Sequence, residues 1–315
     1  MTKDLHHLAS EAKRRGRELG FDLVGIAPAQ PSQYREYFRQ WLDDGQAGTM
    51  AYLAARFEER TDPSVYLPGA QSVICVALNY FAPLEPPADA GSQGRIARYA
   101  LGDDYHEIIK PRLHQLSDWL RQQAPEAQTR CAVDTAPVME KELSARAGVG
   151  WIGKNTCLIN QEIGSWLLLG EVLTTLALPA DSPGIDRCGT CTRCLEACPT
   201  QALTPYRLDA TKCISYLTIE HSGEIDPALQ GKMGNWLYGC DICQEVCPWN
   251  RRAPWTNDPA LGPRFPSGTV DLRETLAWTA DDYRRTLRKS AMKRVKLPVL
   301  QGNAARILSG GRTHG

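Results

Sequence analysis

Residues 188–199 read CGTCTRCLEACP, and residues 240–248 read CDICQEVCP. The first run sets Cys188, Cys191, Cys194 and Cys198 at C-x2-C-x2-C-x3-C with Pro199 directly after. The second repeats C-x2-C-x3-C with Cys240, Cys243 and Cys247, and Pro248 again follows. Three cysteines this closely spaced bend round one iron–sulfur cubane, while a fourth followed by proline points away to a second. One [4Fe-4S] cluster is therefore expected on Cys188, Cys191, Cys194 and Cys247, the other on Cys198, Cys213, Cys240 and Cys243. Cys213 stands in for the first cysteine of the second run, displaced by an insertion of about two dozen residues. Two zinc sites would call for pairs of C-x2-C units. Disulfides would call for an oxidising compartment.

The other bounds follow from composition. The chain has 315 residues, 43% of them hydrophobic, with eight tryptophans, enough for a sizeable core and an appended module. Its first residues, MTKDLHHLASEAKRRGREL, pattern as an amphipathic helix and not as an export signal. No run approaches the roughly 18 apolar residues of a membrane span. The expectation is a cytoplasmic monomer with no membrane partner. Three cysteines remain: Cys75 and Cys131 lie in apolar runs suited to packing, and Cys157 has no assigned role. Net charge is zero, but residues 251–315 carry 13 Lys and Arg against 5 Asp and Glu. A basic end on an otherwise acidic chain suits a polyanionic partner.

Taken in order, the pattern predicts a helix over 4–19, a strand over 22–27, a helix over 34–43 and a buried strand over 72–80. Residues 83–94 read as a flexible loop. A long helix is expected over 104–123, a strand over 129–133 and a helix over 138–147. The glycine-spaced loop GVGWIGKN precedes apolar strands over 156–160 and 166–176. The fold class is α+β: a sheet domain over 1–183, a ferredoxin-like module with two [4Fe-4S] clusters over 184–250, and a short, basic, helical C-terminal region over 251–315. No G-x-G-x-x-G follows the first strand, and GVGWIGKN lacks the P-loop pattern.

Two clusters make an electron wire, and a wire fused to a large sheet domain feeds a cofactor held there. In CAVDTAPVMEKEL, Asp134 ends an apolar strand, where catalytic groups gather in such sheets. A strand-end Asp also caps the next helix, and the residues alone leave both roles open. Glu140 and Glu142 are expected to offset the dipole of that helix.

At this point the chain resembles a known family. VDTAPVMEKELSARAGVGWIGKN, CGTCTRCLEACPTQAL, CISYLTIE and YGCDICQEVCPWN together are similar to the epoxyqueuosine reductases. The resemblance implies reduction of an epoxide on a modified nucleoside of the tRNA anticodon loop, the last step of queuosine biosynthesis. It implies a base-off cobalamin between a nitroreductase-like sheet domain and the cluster module, reduced to cob(I)alamin through the two clusters by an unidentified electron donor. It implies Asp134 as general acid, protonated in the complex because burial raises its pKa. It also implies cobalamin contacts. Arg60 matches an arginine before the first long strand, Asp134 lies at the ring, and Lys154 and Asn155 end the glycine loop. Ser215 and Asp241 adjoin cluster ligands. Each of these side chains is as readily a capped turn or a solvated group. D-x-H-x-x-G is absent, and Asp104-Tyr105-His106 reads as helix, so no lower axial histidine is expected.

The partner implied is tRNA with a queuosine-type anticodon. In DDYRRTLRKSAMKRVK, Arg285, Lys289, Lys293 and Lys296 fall on one face if the segment is one helix, flanked by Arg284, Arg288 and Arg294. Arg251 and Arg252 follow the last cluster cysteine. Such a stripe suits phosphates, and it is read as one that acidic partners do not cancel. Two other readings compete. An electron-transfer iron–sulfur protein would have no use for the sheet domain. A reductive dehalogenase would have no use for the basic end.

Overall fold

The computed structural model describes residues 4–86, 92–221 and 223–310. Its first layer is a four-stranded antiparallel sheet in the order Leu23–Pro28, Ser72–Asn79, Leu167–Thr174, Thr129–Ala132. Strand Ser72–Asn79 is buried along its whole length because both faces are covered. Its Ile74, Val76 and Leu78 meet helices Leu5–Glu18 and Tyr105–Gln123 through Leu8, Ala12, Ile109, Leu113, Leu116 and Leu120. The alternate residues Val73, Cys75 and Ala77 meet helix Glu140–Arg146 and its flanks through Val138, Leu143 and Ala147. The period-2 alternation of a strand thus supplies two cores at once.

Gly25 allows the second face to close. A Cβ there would lie 2.1 Å from the carbonyl oxygen of Ala147, so only glycine lets the end of helix Glu140–Arg146 sit against the strand. Capping sets the other end of the layer. Asp4 and Asp104 each accept main-chain N–H bonds at the start of the two long helices.

A second sheet joins segments far apart in sequence. Strand Gln93–Ile96 pairs in parallel with Trp236–Tyr238 and antiparallel with Thr269–Asp271. The sheet region, the cluster module and the basic end each contribute one strand. The mixed α+β class follows directly.

Two expectations change. The basic segment is not one helix: helix Ala280–Thr286 stops, Lys289 takes a left-handed φ of 54°, residues Ala291–Arg294 form a 3-10 turn, and a new helix spans Leu297–Gly310. Ser290 caps the turn through the main-chain N–H of Met292, which is why the helical pattern breaks there. Strand pairing near GVGWIGKN is also shorter than expected, a two-residue hairpin of Trp151–Ile152 with Leu158–Ile159. Of the expected loop over 83–94, residues 87–91 lie outside the described residues, and residues 93–94 are already strand.

Candidate active site

A cavity of about 1640 Å³ opens where the three segments meet. Its wall takes Arg60, Asp104, Tyr105, His106, Asp134 and Glu140 from the sheet region, Cys213 and Ser215 from the cluster module, and Lys293 and Arg294 from the basic end.

Asp134 stands on the loop after strand Thr129–Ala132, with its side chain 53% exposed to the cavity. It is not a helix cap: helix Glu140–Arg146 has Met139 in the cap position, with no side-chain cap bond. Its backbone is left-handed, φ 43°, a conformation that costs a non-glycine residue about 1–3 kcal/mol. Glu140 holds that conformation, because the main-chain N–H of Asp134 donates to Glu140 Oε1. Glu140 therefore orients the loop instead of serving the helix dipole. Burial, reinforced by the neighbouring Asp134 charge, raises its pKa to about 7. Glu142 is likewise structural: it accepts from the Ser32 hydroxyl and the Gln33 main-chain N–H and pairs with Arg146.

Asp134 meets a histidine of helix Tyr105–Gln123. His106 Nε2 lies 3.2 Å from Asp134 Oδ2, and His106 Nδ1 lies 2.8 Å from Asp104 Oδ1. The hydrogen bonds to Asp104 and then Asp134 raise the His106 pKa to about 9, against the opposing effect of burial. Burial pushes the Asp134 carboxyl up, but the His106 hydrogen bond and charge, the Tyr105 hydroxyl and Arg294 outweigh it. The net direction is down, so without substrate Asp134 is an ionised carboxylate; the protonated form is the expectation for the complex. Asp104, two residues before His106, would not have revealed this, since the contact with Asp134 joins residues 28 positions apart.

The other expected cofactor contacts divide. Arg60 and Ser215 line the large cavity. Arg60 Nε is buried with no hydrogen-bond partner, and burial lowers its pKa from the ordinary guanidinium value. A desolvated cation with an unmatched donor fits a ligand rich in amide and phosphate oxygens, the chemistry that cobalamin presents. Lys154 and Asn155 are placed elsewhere. Lys154 Nζ donates to the carbonyls of Gly189 and Cys191, and Asn155 Nδ2 to the carbonyl of Cys243. They seat the cluster loops. Asp241 is 2% exposed and accepts the Arg98 main-chain N–H at 2.7 Å, so it too is internal scaffolding.

The cysteines gather in two sets. Cys188, Cys191, Cys194 and Cys247 line a separate cavity of about 220 Å³. Cys198, Cys213, Cys240 and Cys243 are electrostatic neighbours of one another. Among the described residues no three His, Cys, Asp or Glu are gathered to hold a single metal ion. The cavity at the first ring leaves room for a larger body, as a cubane needs. Cys157, unassigned from sequence, hydrogen-bonds Cys243 at the second ring.

The basic residues also divide. Arg284 and Arg285 are paired with Asp281 and Asp282 at i−3, and Arg294 with Glu220 at 2.9 Å. Arg251, Arg252, Arg288, Lys289, Lys293 and Lys296 are exposed.

Comparison with known proteins fits this geometry. Residues 60–135 match the family model described as epoxyqueuosine reductase QueG, DUF1730, and residues 187–250 match a 4Fe-4S double cluster binding domain. The epoxyqueuosine reductase of Leadbetterella byssophila is 42% identical over 94% of this chain and 97% of its own length. The chain belongs to the epoxyqueuosine reductase family. Two solved epoxyqueuosine reductases superpose with TM-score 0.90. One, 29% identical over 99% of this chain and 83% of its own, carries an epoxyqueuosine-modified tRNA-Tyr stem loop. The other, from Bacillus subtilis, is 28% identical with the same coverage, and its catalytic loop is swung out of the active site. Among the described residues of this family member, no helix is long and apolar enough to cross a membrane.

Proposed function

We propose that this chain reduces epoxyqueuosine to queuosine in the anticodon loop of tRNA. The observation that carries the reading is the single cavity shared by Asp134, Arg60, the ligand cysteine Cys213 and the basic Lys293. Acid, cofactor cradle, electron wire and polyanion contact all border one space.

Arg60 and Ser215 would hold the polar edge of a base-off cobalamin, which when bound supplies a two-electron reductant beside the wire. The two clusters would sit on the two rings of four cysteines described above, with Cys213 bringing the second to the cavity wall. Loss of one oxygen from an epoxide takes two electrons and two protons overall, leaving an alkene and water. Asp134 faces the cavity and holds or moves a proton at the departing oxygen. Lys293, Lys296 and Arg288 meet phosphates of the anticodon stem, with Arg251 and Arg252 near the end of the cluster module.

The test is anaerobic turnover of a stem loop bearing epoxyqueuosine by the reconstituted protein, with cobalamin and a strong reductant, read by mass spectrometry of the nucleosides. A cobalamin-dependent loss of one oxygen supports the reading. Intact substrate with both clusters and cobalamin bound overturns it.

A further inference from the structure

An acid that is ionised before substrate arrives has no proton to give. Asp134 is in that condition, and its carboxyl is bonded to the His106 ring, Nε2 to Oδ2 at 3.2 Å, and to the Tyr105 hydroxyl. We propose that His106 is the proton store of this reaction, charging Asp134 through their hydrogen bond when the substrate covers the pair. This rests on the functional reading above.

The geometry is built for one direction of transfer. Asp104 caps helix Tyr105–Gln123 and also takes His106 Nδ1 at 2.8 Å, so the proton on that nitrogen is committed and Nε2 faces Asp134. The main-chain N–H of Asp104 donates to the Lys289 carbonyl at 2.7 Å, which pins this end of the helix to the basic segment. Tyr105 stacks on the imidazole with ring centroids 4.3 Å apart. All three residues and Asp134 line the cavity. The other charged or titratable groups about the pair do not supply the proton. Glu140 is turned to the Asp134 main chain, and Tyr105 and Tyr99 have pKa values pushed up by burial. Tyr52 shifts in the same direction, and Arg60 and Arg294 remain cations.

A solvated imidazolium–carboxylate pair keeps its charges apart. When a nucleobase and its ribose displace water from the mouth, two desolvated charges cost more than the neutral pair of imidazole and carboxylic acid. The Nε2–H bond breaks and an Asp134 O–H bond forms, with no change in oxidation state. Asp134 then passes this proton to the epoxide oxygen as the C–O bonds break and the two electrons from the reduced clusters are taken up. The second proton, which turns released hydroxide into water, comes from solvent as product leaves. His106 acts through Asp134, so it is a positioning and proton-storing residue.

Two measurements test it, and they fail independently of each other. The first needs no substrate: the histidine ring signals of the cluster-loaded protein, assigned with His106→Gln, are titrated by nitrogen NMR. His106 should titrate near pH 9 and move toward the ordinary histidine range in Asp134→Asn. A ring titrating near the ordinary value and unmoved by that change overturns the pair. The second is the pH profile of single turnover. Wild type should hold its rate until His106 loses its proton. His106→Gln should lose about a hundredfold at pH 8 with KM for the stem loop unchanged, and recover most of it at pH 5, where solvent protonates Asp134 directly. A rate lowered equally at every pH would make His106 merely structural and sink the proposal. Asp104→Asn, which keeps the cap, should give an intermediate shift and guards against a misfolded His106→Gln. If wild type does not turn over, the functional reading fails while the titration still decides the pair.

Discussion

The main-chain N–H of Asp134 donates to a carboxylate oxygen of Glu140, six residues on, and that bond closes the loop on which the acid stands. Glu140 is thus a latch. Glu140→Ala should let the left-handed Asp134 relax, lowering turnover about tenfold to a hundredfold while clusters and cobalamin stay bound. Glu140→Gln keeps an acceptor and should lose less. Turnover with hydrogen exchange at residues 133–139 distinguishes the two.

The same carboxyl gives a pH signature. Its folded pKa of about 7 lies above its ordinary 4.5, so the folded protein binds this proton more tightly than the unfolded chain. The stabilisation is full below the unfolded value and is lost as pH rises through about 7. The drop in Tm between pH 5 and 8 should therefore be smaller in Glu140→Gln than in wild type. Equal slopes would remove Glu140 from the explanation.

Asp134→Ala should keep both clusters and the cofactor absorbance yet lose about 10²–10⁴-fold in turnover, the range for a lost general acid. Wild-type rates in this variant would place the proton transfer elsewhere.

Arg60 carries a buried Nε without a partner, which a bound cofactor is expected to satisfy. Arg60→Ala should weaken cobalamin binding about tenfold to a hundredfold, the worth of a charge-assisted hydrogen bond. Cobalamin retained on desalting, at unchanged iron content, is the readout.

For RNA, free cations should matter and paired ones should not. Replacing Lys293 and Lys296 with Ala should make the slope of log K against log salt shallower by about 1.4–1.8, as for two lost phosphate contacts. Replacing Arg284 and Arg285, already held by Asp281 and Asp282, should change it less.

What could be read in the chain depended on how local the physics was. The cysteine runs, the buried strand over 72–79 and the long capped helix from Tyr105 declare themselves through spacing and period, and the structure forms each within a residue or two. Asp134 was legible as a strand-end acid. Its partners were not: His106 reaches it across 28 positions, and Glu140 looked like an ordinary first-turn carboxylate. Lys154, Asn155 and Asp241 carry polar groups suited to a ligand, yet their bonds go to main-chain atoms of neighbouring loops, which only the fold brings near. In the basic segment a helical wheel hid two signals present in the letters. Ser290 interrupts the helix, and Asp281 and Asp282 stand three residues before the arginines they neutralise.

The small sheet of Gln93–Ile96, Trp236–Tyr238 and Thr269–Asp271 imposes an order of assembly. On a ribosome, every cluster cysteine has been synthesised before the third strand exists. Until residues 290–294 are synthesised after it, one wall of the large cavity is missing. The nascent chain therefore has a period in which its thiols are presented and its cofactor chamber is still open. The last wall goes up after the interior can be furnished.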